Sequence, residues 1–289
     1  MEIAVVKPKL VDSDTLPMKE VRILPVGDIQ YGGATDLDRL ERYLDWGLKQ
    51  NAYFVGMGDY IDTVSPSNRA LLLSVKSNLY DSANVTISKA FGKMGEDMEE
   101  IFKKTKGRWL GLVRGHHYWP FADGTTSDLR LAKALGCQFL GDNGIIAVEM
   151  QEPKTKQTVY GQIFMHHGQG SGISEGAGLT KLGHISKTFF SNIYLMGHFH
   201  RKAATAVPWV EYSIKNGSFV DESINRYLVL TGGFLKGYDL GSVDEAGYPA
   251  GGYIEKKMLT PVSLGGTLIQ MRPALRFDGR VRVDVNVSV

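Results

Sequence analysis

Hydrophobic and polar positions alternate along the chain in blocks that predict short buried strands separated by amphipathic helices. Leucines at positions 37, 40, 44 and 48 recur at helical spacing, and Thr35 with Asp38 forms a candidate capping box at the start of that helix. The weakly helical stretch over 65–105 predicts a helical excursion between two strands. Short apolar runs that end in a polar turn predict buried strands at 22–27, 52–57, 109–113, 162–165 and 193–196.

The second half of the chain changes from a strand–helix pattern to a strand-rich one. A helix is predicted over 127–135, followed by strands over 137–140 and 145–150. From about residue 205 the sequence is glycine-rich and strand-like, and alternating valines at 281, 283, 285 and 287 predict a half-exposed strand. This combination predicts an α/β (α+β) fold built on a mixed sheet or a two-sheet sandwich with helices outside.

Nothing in the sequence divides the chain into separate units: we find no repeat, no low-complexity tract and no clear linker. We therefore expect a single domain over 1–289. Its core motifs lie over about 22–201, and a β-rich part follows over about 205–289.

Composition and charge exclude several classes of function. Hydrophobic residues make up 43% and charged residues 22% of the chain, which is typical of a globular protein. A net charge of +2 does not indicate a dedicated binder of nucleic acid or membranes. The single cysteine, Cys137, excludes a disulfide framework and a multi-cysteine zinc site. With no signal peptide and no membrane-spanning apolar run, we expect a cytoplasmic location.

Polar side chains gather where the apolar strands end, which is the edge at which α/β sheets bind ligands. Imidazoles and carboxylates without thiolates are a ligand set for Zn, Mn, Fe or Ni rather than for Ca. The donors suffice for two ions that share a carboxylate, and ions about 3.5–4 Å apart are used for phosphoryl hydrolysis. The candidate residues are Asp28, Gln30, Asp59, Asp62, His116, His117, His166, His167, His198 and His200.

The order of these blocks is D-x-Q, G-D-x-x-D, G-H-H, H-H and G-H-x-H. Over about residues 22–201 this order resembles that of the calcineurin-like metallophosphoesterases. The resemblance implies a four-layer α-β-β-α sandwich with the site at one edge. It also implies a dinuclear metal-dependent phosphoesterase, either a phosphatase or a phosphodiesterase, in which a metal-bound hydroxide attacks phosphorus.

The resemblance implies that Asp59 bridges two divalent metal ions. Asp28 and His200 would hold the first ion, together with Gln30, which stands where the family usually has histidine. A neutral amide oxygen is a poorer ligand for Zn than imidazole, so this position is expected to be weaker or to suit Mn or Mg. We therefore hypothesise one tight ion and one exchangeable ion.

For the second ion the resemblance implies His198, His116 and one of His166 and His167. His116 stands where the family usually has asparagine, and its imidazole nitrogen favours a transition metal. We prefer His166 as the third ligand because it directly follows the apolar strand, and His167 remains open.

The same resemblance assigns a proton donor and leaves two alternative functions. His117 would protonate the leaving group without binding metal, and Asp62 would orient it. The departures at Gln30 and His116 also suit a catalytically impaired binding or scaffold protein. Residues 172–176 match the G-x-S-x-G pattern of serine hydrolases, with Ser174 as nucleophile, but the preceding strand ends too early for the required elbow.

The substrate is expected to be a phosphate ester, with nucleotides or nucleic acid possible and no membrane partner. The sequence does not indicate monoester or diester preference, metal identity (Mn, Zn, Fe, Ni or Mg) or oligomeric state.

Overall fold

A computed structural model of the chain describes residues 1–12, 19–170, 174–215, 218–276 and 278–289. In chain order its strands are β1 (Glu2–Val6), β2 (Val11–Asp12), β3 (Lys19–Val26), β4 (Tyr53–Gly56), β5 (Trp109–Leu112), β6 (Asn143–Gln151), β7 (Thr158–His166), β8 (Ile193–Met196), β9 (Lys202–Lys215), β10 (Ser218–Thr231), β11 (Leu268–Leu275) and β12 (Val281–Ser288). Its α-helices are α1 (Leu37–Lys49), α2 (Pro66–Val75), α3 (Asp81–Phe102), α4 (Ser127–Leu135), α5 (Glu175–Ser186) and α6 (Tyr253–Lys256).

These strands form two mixed sheets. The first sheet has the order β1-β6-β7-β8-β10-β9, and the second has the order β12-β11-β3-β4-β5, with β2 paired to β3. Strands β3, β4 and β5 are parallel, as are β7, β8 and β10. The carboxyl ends of parallel strands lie at the same edge, so the loops that follow these six strands meet there.

The two sheets pack face to face and each carries helices on its outer face. Buried side chains from both sheets, such as Ile23, Val55, Ile163 and Leu195, form one cluster between them. A second cluster joins the outer face of β3, β4 and β5 to α1, α3 and α4. A third joins β7, β8 and β10 to α5 through Leu182. The layers run α-β-β-α, which confirms the predicted fold class.

Two local predictions were wrong in detail. The N-cap of α1 is Asp36, whose side chain accepts the N–H of Arg39, whereas the Thr35 hydroxyl donates to the carbonyls of Ile29 and Gln30. The predicted strand over 137–140 forms only an isolated bridge between Phe139 and Leu112, because little chain separates the end of α4 from β6.

The β-rich end of the chain contributes to both sheets. Strands β9 and β10 complete the first sheet, and β11 pairs with β3 in the second. The valine alternation predicted for the last strand is present in β12, where Val283, Val285 and Val287 pack against the inter-sheet core. The extent of the domain stays a prediction. Among the helices in the described ranges, none is long and apolar enough to cross a bilayer.

Candidate metal centre

The turns that carry the candidate residues share an unusual backbone conformation. Outside glycine, left-handed φ values are uncommon and cost about 1–3 kcal/mol each when the surrounding structure imposes them. Such strain gathers at functional sites, where the fold holds a side chain in one direction. Five candidate residues adopt it: Asp28 (49°), Gln30 (51°), Asp59 (52°), His198 (68°) and His200 (50°).

Neighbouring glycines let these turns approach one another. A Cβ at Gly115 would lie 2.0 Å from the backbone nitrogen of Asp59, and a Cβ at Gly197 would lie 3.0 Å from Asp28 Oδ2. Neither distance leaves room for a larger residue. The sequence pattern assigns conformational freedom to these glycines, whereas in the structure they provide close approach and the candidate ligands carry the left-handed turns.

The structure brings these turns together into two overlapping groups that could hold a metal ion. The first consists of His116, His167 and His198, and the second consists of Asp28, Asp59 and His167. Within each group the potential ligand atoms lie within 4.8 Å of one another. Asp28, Asp59 and His167 are almost fully buried, with at most 2% of each residue exposed. The edge of the sandwich therefore concentrates imidazole and carboxylate groups where water has little access.

Several atoms of this cluster lack the hydrogen bonds that buried polar groups usually have. Asp28 Oδ1, His167 Nε2 and His200 Nδ1 are buried without a hydrogen-bond partner. His167 Nε2 lies 3.1 Å from Asp59 Oδ2, but the geometry is not that of a hydrogen bond. Asp28 Oδ1 lies 3.9 Å from both His167 Nδ1 and His200 Nε2. Lone pairs left over in a buried set of nitrogens and oxygens fit a divalent transition metal.

Backbone carbonyls orient two of the imidazoles. His167 Nδ1 lies 2.8 Å from the carbonyl of Met57, and His198 Nε2 lies 2.8 Å from the carbonyl of Gly170. A ring nitrogen that donates to a carbonyl leaves the other nitrogen as the ligand atom. These contacts assign Nε2 of His167 and Nδ1 of His198 to the centre of the cluster.

Electrostatics in the cluster favour an added positive charge. Burial raises the pKa of Asp28 to about 7, so this carboxylate lacks full compensation. Burial also acts to raise the pKa of Asp59, but His167 and His117 outweigh it and the pKa lies below its usual value. Burial acts to lower the pKa of His167, and the carboxylates of Asp59 and Asp28 raise it to about 9. In the metal-free protein a proton on His167 thus supplies charge that a cation would supply.

His117 lies beside this cluster but is held differently. Its Nδ1 lies 2.6 Å from Asp62 Oδ1, which leaves Nε2 available to a bound molecule. The backbone N–H groups of His116 and His117 both donate to Asp59 Oδ1. Burial acts to lower the pKa of His117, and the hydrogen bond with Asp62 raises it above its usual value. The arrangement separates a proton-carrying imidazole from the group of potential ligands.

The structure distinguishes the two histidines that the sequence left open. His166 is the last residue of β7 and its Nδ1 accepts the N–H of Gly168 (2.7 Å). His167 follows the strand and belongs to both groups of potential ligands. The preference for His166 therefore does not agree with this arrangement. Met165 points into the inter-sheet core, so alternation turns His166 outward and leaves His167 to enter the site.

His200 lies beside Asp28, whereas the ligand role of Gln30 stays a prediction. The backbone N–H of Gln30 donates to the carbonyl of Asp59, and its carbonyl accepts from the Thr35 hydroxyl. These contacts fix the backbone of the first turn, and the side chain is partly exposed.

Sequence reasoning missed the contribution of the C-terminal third. The N–H groups of Phe234 and Leu235 donate to the carbonyl of Asp28 (2.9 and 3.2 Å), and that of Ser263 donates to the carbonyl of His200 (2.9 Å). Strand β10 is a parallel neighbour of β8 and ends at the same edge. A glycine pair after an apolar strand was the signal that pointed to this turn.

The serine alternative gains nothing from the structure. Ser174 precedes α5 on an exposed turn, while Gly172 and Ile173 lie outside the described residues. Strand β7 ends eight positions earlier, at His166. No hydrogen bond between the Ser174 hydroxyl and a histidine is present among the residues that the structure describes.

No protein-family model and no curated protein matches the chain. Solved structures that resemble it include Vps29 from Entamoeba histolytica complexed with Zn²⁺, at 11% identity, with 92% of this chain and 99% of that chain covered and a TM-score of 0.37. Vps29 from Chaetomium thermophilum follows at 12% identity, 92% and 96% coverage and a TM-score of 0.35. A predicted phosphoesterase from Streptococcus pneumoniae TIGR4 has 10% identity, 93% and 99% coverage and a TM-score of 0.32.

Likeness at this distance concerns the fold alone, so the site is argued from its own residues. The four-layer sandwich and the order of the motifs along it are the features that decide the comparison. They resemble the calcineurin-like metallophosphoesterases. The described residues include groups that could hold a metal ion at the edge where that resemblance places them.

Proposed function

We propose that this protein is a dinuclear metal-dependent phosphoesterase that hydrolyses a phosphomonoester or phosphodiester. The observation that carries the proposal is the pair of overlapping ligand groups at the sandwich edge, which share His167 and contain buried atoms without hydrogen-bond partners. Such a site is costly to bury unless a cation occupies it. The fold supplies the edge, and the chemistry follows from the donors.

The proposed ligands divide between the two ions. His116, His167 and His198 hold one ion, and Asp28, His200 and Gln30 contribute to the other. Asp59 is proposed as the bridge. Its Oδ1 is held by two backbone N–H groups, while its Oδ2 lies 3.1 Å from His167 Nε2, so this carboxylate has one fixed oxygen and one facing the imidazole group.

Divalent ions at such a centre neutralise the charge of a phosphoryl group and lower the pKa of a bound water. The protein's own residues supply the rest. Asp62 accepts from His117 Nδ1 and so holds the ring with Nε2 toward the leaving oxygen, to which Nε2 delivers a proton. The loop that carries His117 also carries His116, so proton delivery and metal binding are placed by the same few residues.

The donor set leaves the metal open among Mn, Zn, Fe, Ni and Mg, with a transition metal favoured where three imidazoles meet. Nucleotides and nucleic acid are included among the proposed substrates, since their phosphodiesters carry the same reacting group. We propose a cytoplasmic setting on the basis of the single cysteine, Cys137.

Hydrolysis of aryl phosphate mono- and diesters with added Mn²⁺ tests the proposal. We expect turnover that a chelator abolishes and that Mn²⁺ restores, and we expect Asp59→Asn to reduce it to the uncatalysed background. The matched control is Asp142→Asn, because Asp142 is exposed and pairs with Arg114 next to the same loop without belonging to either ligand group.

Each other outcome identifies a different function. Wild-type turnover in Asp59→Asn contradicts the assignment of the centre. Hydrolysis that resists chelator and is lost in Ser174→Ala identifies a serine hydrolase. Metal binding without hydrolysis of any ester in the panel identifies a binding or scaffold protein.

A further inference from the structure

Asp128 is a buried carboxylate outside the candidate metal centre. It is the second residue of α4, and only 2% of it is exposed. An acidic residue in the first turn of a helix ordinarily faces solvent and stabilises the helix dipole or caps the helix. Here the cap is already supplied, because the Thr126 hydroxyl accepts the N–H of Leu129. The carboxylate of Asp128 is therefore free for another contact.

That contact is with the loop that follows β5. Asp128 Oδ2 accepts the N–H of Gly115 (2.9 Å), and Oδ1 accepts from the hydroxyl of Ser127 (3.0 Å). The Ser127 hydroxyl in turn accepts the N–H of Trp119 (3.1 Å), and the Ser127 N–H donates to the Trp119 carbonyl (3.0 Å). The first turn of α4 thus holds both ends of the segment 115–119.

The segment between those two ends carries His116 and His117. Gly115 packs so closely on Asp59 that a Cβ would lie 2.2 Å from Asp59 Oδ1. The next two N–H groups, of His116 and His117, donate to that same oxygen. A small displacement of Gly115 would therefore move the proposed bridging carboxylate and both imidazoles together.

Burial of this carboxylate needs a reason beyond packing. Burial raises the pKa of Asp128 to about 6, so the ionised form is disfavoured where it lies. A neutral or apolar residue would avoid this cost. What such a residue cannot do is accept the N–H of Gly115 while receiving the Ser127 hydroxyl on its second oxygen.

We propose that Asp128 is a positioning residue, which fixes the loop 115–119 so that His116 faces the metal centre and His117 faces the substrate. The inference rests on the proposed function for the roles of the two histidines. It does not rest on that function for the loop contacts themselves.

The test compares Asp128→Ala with Asp128→Asn. Alanine removes both acceptors, whereas asparagine keeps one oxygen for the Gly115 N–H and offers its amide to the Ser127 hydroxyl. Outer residues that orient metal ligands typically contribute about 10–100-fold to metal affinity or activity. We expect Asp128→Ala to lower kcat by about that factor at saturating Mn²⁺, with KM changed much less, and Asp128→Asn to recover most of the loss.

Two readouts do not depend on hydrolysis. Calorimetric titration with Mn²⁺ should show weaker binding in Asp128→Ala, and amide hydrogen exchange at residues 115–119 should be faster in the metal-free variant. The matched control is Asp123→Ala, since Asp123 is bonded to Thr125 and Arg130 just before the same helix and does not contact the loop. It should leave all three readouts unchanged.

The outcomes separate the two proposals. If the wild type hydrolyses no ester but Asp128→Ala still weakens Mn²⁺ binding and loosens the loop, Asp128 is a positioning residue and the hydrolase assignment fails. If the wild type is active and Asp128→Ala matches it in kcat, Mn²⁺ affinity and amide exchange, the positioning role is overturned. Should Asp128→Ala not fold, Ser127→Ala removes the link to Trp119 and is expected to shift the same readouts in the same direction, less strongly.

Discussion

The two halves of the metal centre differ in how completely the protein assembles them. In the imidazole half, formed by His116, His167 and His198, the rings pack edge to face with centroids 4.7–5.3 Å apart. In the carboxylate half, formed by Asp28, Gln30 and His200, the nearest approach of the charged groups is 3.9 Å and two atoms lack partners. One half is preorganised, and the other has its donors nearby but not yet converged.

This difference supports the hypothesis of one tight and one exchangeable ion. A preorganised ligand set loses little conformational freedom on binding, whereas donors that must converge lose more. The carboxylate half also contains Gln30, a neutral ligand, in a position where imidazole would bind a transition metal more strongly. The asymmetry expected from residue types therefore coincides with an asymmetry in geometry.

The largest effect should come from removing the residue that both ligand groups share. We expect His167→Ala to lower the content of both ions, measured by elemental analysis after dialysis, and to reduce hydrolysis to the level of chelated wild type. His166→Ala is the matched control and should retain both ions, because its Nδ1 accepts the Gly168 N–H away from the cluster. Equal metal loss in the two variants would contradict the placement of His167.

A smaller effect is expected where chemistry is separated from metal binding. His117→Ala should reduce kcat by about 10²–10⁴-fold, because proton delivery to the leaving oxygen is lost. Its metal content should match the wild type, and the defect should shrink for esters whose leaving group needs no proton. Loss of an ion in this variant would mean that His117 belongs to one of the two halves.

The smallest effect should come from making the halves more alike. Gln30→His places an imidazole in the carboxylate half, and histidine tolerates the left-handed φ of 51° found there. We expect the weaker ion to bind about tenfold more tightly, or about 1.4 kcal/mol, in a Zn²⁺ titration. Gln138→His adds an imidazole at an exposed position and should change nothing. Two equally tight ions in the wild type would remove the comparison itself.

Sequence pattern predicted the fold well where a strand or helix is long or strictly apolar. The predicted bounds of α4 and β8 agree with the structure, because their apolar positions have no competing interpretation. The adjacent histidines 166 and 167 could not be distinguished, since a one-residue change in where β7 ends reverses which side chain faces the site. The candidate residues themselves were found because they follow apolar runs.

Other parts of the site have no local signal. Asp128 looks like an ordinary acidic residue at a helix start, and only the burial of its side chain reveals its contact with Gly115. The left-handed turns at Asp28 and Asp59 are imposed by tertiary contacts, such as the donation of the Ile29 and Gln30 N–H groups to the carbonyl of Asp59. Contacts between distant segments cannot be derived from spacing along one chain.

The closing contacts made by the C-terminal third also set the timing of assembly. Asp28 is clamped by Phe234 and His200 by Ser263, and β3 needs β11 as its neighbour, with Ile23 paired to Ile269. During synthesis, a ribosome-bound chain that already exposes every candidate ligand still lacks these partners. Contacts of such long sequence separation form late. Metal loading is thus an event of the finished chain, and a metal-scavenging intermediate with half-formed turns is avoided only by rapid completion of its last strands.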